Sequence, residues 1–140
     1  MTFIPYSHPT IFSTLVSDGE RLIEPQTGEV FPIVLGIPRF CEADNYSASF
    51  GFQWNLFDRT QLDLHSGSDH SEQRFYGETG WDPSELSDQT VLEVGSGAGR
   101  FTEVFLRTTK GLLHSIDYSN AVEANLRNNS IYRDRVQLAQ

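Results

Sequence analysis

The sequence predicts an α/β protein whose C-terminal part is the N-terminal half of a doubly wound, Rossmann-like sheet, in the order β-α-β-α-β. Three observations carry this. Val91, Leu92 and Val94 form a short apolar run, as parallel strands covered on both faces require. The run passes directly into Gly95-Ser96-Gly97-Ala98-Gly99, after which Phe101, Val104 and Phe105 recur at i, i+3 and i+4, one face of a helix. A second apolar run, Leu112 to Ile116, ends on an acid, Asp117. A strand, a glycine turn, a helix and a second strand with an acidic end make half of a nucleotide-binding sheet.

The elements follow in order. In residues 1–44 three β-prone runs, Phe12 to Val16, Arg21 to Glu24 and Val30 to Leu35, are separated by turns at 17–20 and 25–28, predicting a small β-meander. Pro32 has no N–H to give a neighbour, so its strand is expected at an edge. Residues 45–83 form an aromatic, partly helical lead segment carrying Tyr46, Phe50, Phe52, Trp54 and Phe57. Such aromatic density predicts packing between meander and core, or a lid with Gln53, Asn55 and Gln61 as polar contacts. The stretch His65 to His70 reads as a loop, and Ser71 as the cap of a short helix carrying Glu72, Arg74 and Phe75. Gly77 to Pro83 breaks the chain before residues 84–140, the partial Rossmann-like domain. There the first helix ends at Gly111, Ser119 or Asn120 caps the second, and Val136 to Ala139 is the third strand.

Composition narrows the partners. The 140 residues are 38% hydrophobic and 12% aromatic, enough to bury a core. Ten basic against 19 acidic residues give a net charge of −9, which argues against a nucleic-acid backbone or an anionic membrane surface as partner. A single cysteine, Cys41, forms no internal disulfide and points to the cytoplasm. The N-terminus carries no basic leader, and no run approaches the roughly 20 apolar residues of a membrane span.

The glycine turn is where the chemistry is expected. Gly95 lets the chain leave the strand tightly, Gly97 clears space for a ligand at the backbone, and Gly99 permits close helix–strand packing. The following helix presents unsatisfied N–H groups to an anionic ligand group. Asp117 falls 18 residues after Gly99, near the spacing of about 20 for a ribose-binding carboxylate. Tyr118 beside it offers a flat surface to a purine. A dinucleotide fingerprint wants a glycine where this chain has Arg100, and Glu93 would repel a pyrophosphate while attracting an ammonium and a sulfonium. The balance favours S-adenosylmethionine over a nicotinamide cofactor.

VLEVGSGAGRFTEVF followed by SIDYSNAVEAN resembles the cofactor motifs of the class I S-adenosylmethionine-dependent methyltransferases. The resemblance implies that Glu93, Gly95, Ser96, Gly97 and Gly99 line the methionine part of the cofactor, that Asp117 holds the ribose and that Tyr118 borders the adenine. SFGFQWNLFDRTQLD resembles the aromatic stretch that precedes the core in one bacterial subgroup, which would bring Gln53, Trp54 and Arg74, or Gln61, over the cofactor. FPIVLGIPRF resembles the last strand of a small zinc ribbon, but the cysteine pairs are absent, so no metal is expected and apolar packing should hold the meander. His65, Asp69 and His70 are read as a solvated loop, and His114 as a packed strand histidine.

Only 50 residues follow Thr90, three strands and two helices. A complete core of this family needs roughly three times that length. The chain is therefore expected to be an N-terminal portion, through the third strand, with an exposed sheet edge that favours homo-oligomers. The function expected is the cofactor-binding portion of a methyltransferase with a small-molecule acceptor. The general base is unknown, although His65, His70 and Arg74 could reach an acceptor from the lead segment. A non-catalytic interaction module and an NAD(P)-dependent oxidoreductase fragment are the alternatives.

Overall fold

The computed structural model describes residues 3–42, 53, 56 and 62–140. Much of the aromatic lead, Trp54 and Gln61 included, lies outside the described residues. The described chain is mixed α/β, with a four-stranded antiparallel sheet and a three-stranded parallel one.

The antiparallel sheet runs β1 (Val16–Ser17), β2 (Arg21–Ile23), β3 (Val30–Val34) and β4 (Ile37–Pro38), in that spatial order. The first strand starts later than the run Phe12 to Val16 predicts, because Phe12 takes a left-handed φ of 57° and interrupts the extended chain. The edge position expected of Pro32 is also corrected, since β3 is an inner strand. Toward β2, Pro32 faces Arg21 between the bonded pairs, where no N–H is needed. Toward β4 it only accepts, from Arg39 N–H at 2.9 Å. Strand β4 was missed because Leu35-Gly36 reads as the end of a run. Both residues instead have positive φ, 55° and 80°, the two-residue turn that matches strand twist.

Apolar packing of Leu15, Leu22 and Phe31 with Tyr6 and Phe40 fills this small lobe. Two polar turns add to it, which the expectation of apolar packing alone did not include. His8 Nδ1 accepts the N–H groups of Thr10 and Ile11, while Nε2 meets Glu29 at 2.8 Å. Glu24, with no exposed surface, accepts from Thr27 N–H, Gln26 N–H and Ser13 Oγ. These bonds, led by Thr27, hold its carboxyl down at about 2.

Helices α1 (Asp63–Ser66) and α2 (His70–Thr79) follow. Ser71 is not the cap. The buried Asp63 carboxylate accepts Ser71 and Glu72 N–H, doing that work from the preceding turn. Residues 65 and 66 are helical rather than loop, and Gly77 lies inside α2, which ends at the left-handed Gly80 (φ 67°). Phe75 of α2 packs on Phe101, and Tyr76 Oη lies 2.5 Å from Thr108 Oγ1.

The parallel sheet is β5 (Thr90–Val94), β6 (Leu112–Ile116) and β7 (Val136–Ala139), joined through α3 (Arg100–Thr108) and α4 (Val122–Asn128). Phe105, Leu106, Leu113, Val122, Val136 and Leu138 form the main core between helices and sheet, and Ile37 of β4 completes it. Gly111 does not cap α3, which turns extended at Thr109. It is required instead because a Cβ there would lie 2.5 Å from the Leu86 carbonyl. On the opposite face Leu92 and Val94 are exposed, and His114 meets Phe3 edge-on with its ring Nε2 unpartnered. Among the described residues no strand pairs with the outer edge of β5. No described helix is long and apolar enough to cross a membrane.

The two sheets meet at one seam. Gln140 N–H donates to Pro38 O at 2.9 Å and Phe40 N–H to Gln140 O at 2.6 Å, so the chain after β4 runs parallel beside the end of β7. Tyr6 Oη ties the same edge through Leu138 O at 2.9 Å.

Two predictions follow from the small lobe. Leu35→Asn should raise stability by roughly 1 kcal/mol, read from the urea midpoint, because asparagine tolerates positive φ better than leucine. Glu24 has a folded pKa below its ordinary 4.5, so its contribution is complete above that value and is lost as pH falls toward about 2. The difference in urea midpoint between wild type and Glu24→Gln should therefore be largest above pH 5 and shrink toward pH 2.

Candidate functional site

The site is built where β5 and β6 end side by side. Gly95, Gly97 and Gly99 all have positive φ, 79°, 53° and 89°, so the turn coils back on itself before α3 begins. Gly95 and Ser96 both donate to Ile116 O, at 2.8 and 3.2 Å, which pins the start of the turn to the end of β6. Gly97 N–H donates to Asp117 Oδ2 at 2.8 Å. The other oxygen of Asp117 accepts Ser119 N–H at 2.8 Å and Ser119 Oγ at 2.6 Å. Thus Asp117 lies against the glycine turn and, of the about four acceptor positions of a carboxylate, keeps one on Oδ2. Tyr118 next to it is half-exposed.

Gly95 and Gly99 do different jobs. A Cβ at Gly95 would meet nothing within 4 Å, so the space beside it is open. A Cβ at Gly99 would fall 2.3 Å from Asn125 Oδ1 and 2.5 Å from Asn129 Nδ2. Gly99 therefore serves close approach of α4, and its Cα faces that helix. Ser96 is 7% exposed and its hydroxyl has no partner. A buried hydroxyl left without a bond is costly unless a ligand satisfies it.

Glu93 turns inward, beneath the turn. Its Oε2 accepts Thr102 Oγ1 at 2.5 Å and Ser115 Oγ at 2.8 Å. Burial pushes its carboxyl up, while those two hydroxyls pull it back. Asn125 donates to both hydroxyls, at 2.9 and 3.3 Å, and Asn129 donates to Asn125 Oδ1 at 2.9 Å and Gly99 O at 3.2 Å. Reading the sequence singled out none of Thr102, Ser115, Asn125 and Asn129. The signal was present: Ser115 interrupts an apolar strand, and Asn125 and Asn129 share the inward i, i+3, i+7 stripe of Val122.

A cavity of about 300 Å³ runs along the outer edge of β5, lined by Phe75, Trp81, Glu93, Gly95 and Phe101. It adjoins the open side of the turn. Gln53 is exposed, Trp54 lies outside the described residues, and Arg74 is exposed and paired with Glu78 at 2.8 Å. Arg100 points back to α2, donating to Ser71 Oγ at 2.9 Å.

The fold and this crease define a mixed α/β protein with a glycine-turn pocket at the strand ends. No family model and no curated protein matches the chain. Among solved structures it is similar to a protein of Methanococcus maripaludis assigned to the S-adenosyl-L-methionine-dependent methyltransferases. Their identity is 17% and the TM-score 0.48, over 72% of this chain and 45% of that one. The chain thus spans less than half the length of that protein.

The two glycines should respond differently to a methyl group. Gly99→Ala combines positive φ with a clash against two buried side chains and should cost roughly 3 kcal/mol or more. Gly95→Ala carries only the backbone strain and should cost about 1–2 kcal/mol. Urea unfolding of both variants checks the difference.

Proposed function

We propose that this chain binds S-adenosylmethionine in the crease at the ends of β5 and β6, as the cofactor-binding portion of a methyltransferase acting on a small-molecule acceptor. The observation that carries the reading is the 2.8 Å bond from Gly97 N–H to Asp117 Oδ2. It brings the glycine turn, open beside Gly95, and a ribose-type acceptor together, within the span of one nucleoside ligand.

The residues present suit the group. Asp117 accepts from ribose hydroxyls, and the half-exposed ring of Tyr118 flanks a purine. The N–H groups opening α3 suit an acidic ligand end, and the unpartnered Ser96 hydroxyl lies buried in the turn that precedes them. Open space beside Gly95 admits a ligand at the backbone. Glu93 adds negative charge below the turn, favouring a cationic ligand over a pyrophosphate. Phe75, Trp81 and Phe101 give the adjoining cavity an apolar wall. When bound, the cofactor supplies an electrophilic methyl group on a sulfonium. The chain's part is to hold it in one orientation, so that an acceptor approaches in line.

Calorimetric titration with S-adenosylhomocysteine and with NAD tests this reading. Heat with the first and none with the second is expected, and Asp117→Ala should weaken the binding at least tenfold. A folded sample that takes up neither ligand, or an Asp117→Ala variant with unchanged affinity, refutes it.

A further inference from the structure

We propose that Arg39, from the small antiparallel lobe, is a positioning residue for the nucleoside end of the site, acting through the side-chain amide of Gln140. The proposal rests on the cofactor site described above and names a residue, remote in sequence, that sets its shape.

Arg39 is 8% exposed and makes two bonds with its fork. Its Nη1 donates to Gln140 Oε1 at 2.6 Å, and its Nη2 to Glu123 Oε1 at 2.9 Å. The first bond decides an orientation. Guanidinium has only donors, so the face of the Gln140 amide toward Arg39 must be its oxygen. The amide NH₂ is thereby sent the other way, where it donates to Tyr118 O at 3.2 Å and to Asn120 Oδ1 at 3.0 Å. Both acceptors lie in the loop after β6, the loop that starts at Asp117. Cys41, two residues beyond Arg39, reaches the same Tyr118 carbonyl with Sγ at 3.7 Å.

Tyr118 O keeps the NH₂ facing the loop, since a carbonyl only accepts. Arg39 fixes the other end of the amide: without it the oxygen loses its donor, and the side chain is free to draw away from Tyr118 O and Asn120 Oδ1. The Glu123 arm has a different task. It fastens the lobe to α4, through a pair buried on the Arg39 side and partly exposed on the Glu123 side. The two arms therefore make opposite predictions, which separates positioning from simple attachment of the lobe.

The experiment measures S-adenosylhomocysteine and adenosine affinity in Arg39→Met, Gln140→Leu and Glu123→Gln. Circular dichroism first shows that each variant is folded at the assay temperature. Arg39→Met and Gln140→Leu should each weaken both ligands by roughly three- to thirty-fold. The double variant should be no weaker than either single, since both cut one chain of bonds. Glu123→Gln should bind like wild type, and Arg39→Lys, which can still donate to Gln140, should recover part of the loss. Wild-type affinity in Gln140→Leu, or equal losses in Glu123→Gln and Arg39→Met, would overturn the proposal. Amide hydrogen exchange over residues 117–121, recorded without ligand, separates this from the cofactor reading. Faster exchange in Arg39→Met but not in Glu123→Gln supports positioning even if the wild type binds no S-adenosylhomocysteine. Unchanged exchange in both refutes it.

Discussion

Two hydroxyl groups, those of Thr102 and Ser115, hold the parallel half of this protein together. Each donates to Glu93 Oε2 and accepts from the amide of Asn125. One hydroxyl belongs to α3 and the other to β6, while the carboxylate comes from β5 and the amide from α4. Four elements thus converge on a single pair of oxygen atoms, in a place with little water to substitute. In such surroundings a satisfied network is strong and a broken one is expensive. The apolar core beside it decides that helices cover the sheet; the polar cluster decides how they lie on it.

This arrangement explains why the glycine turn has its shape before any ligand arrives. From below, Asn129 fastens Gly99 O, and the closeness of α4 leaves no room for a Cβ at that position. From the side, Ile116 O holds the first two amides of the turn. From above, Asp117 holds Gly97 N–H. The turn is clamped on three sides and open at Gly95. A turn held in this way is ordered in advance by its own protein contacts. The two acids of the motif differ accordingly: Glu93 accepts two buried hydroxyls on one oxygen, whereas Asp117 joins the turn to the loop after β6 through Gly97 and Ser119.

The parallel half was legible because its signals are local. Strand ends at Ile116 and Ala139 coincide with the apolar runs that predict them, and the glycine turn falls where spacing puts it. What escaped depends on partners distant in sequence. Asp63 caps α2 from outside that helix, so Ser71 read as the cap. Gly111 answers to the backbone near Leu86, not to its own helix end. Pro32 reads as an edge residue until Arg39 is known to lie opposite it. Glu24 reads as the end of a β-prone run, yet its carboxylate, like the imidazole of His8, gathers backbone N–H groups into a closed turn. Of the site itself, the residues at the strand ends were readable. The asparagines beneath them were not, because a polar side chain on an inward stripe violates the pattern used to find cores.

Pro32 has an effect that reaches beyond its own strand. Opposite Arg39 it accepts one hydrogen bond and can return none. Pairing between β3 and the departing chain is therefore half complete at that residue. Pro38 and Phe40, the neighbours of Arg39, turn their hydrogen-bonding groups the other way, to Gln140, as the alternation of a strand requires. The segment is thus shared: Arg39 closes on β3 while the residues on either side of it close on the end of β7, and the small lobe is continuous with the edge of the parallel sheet.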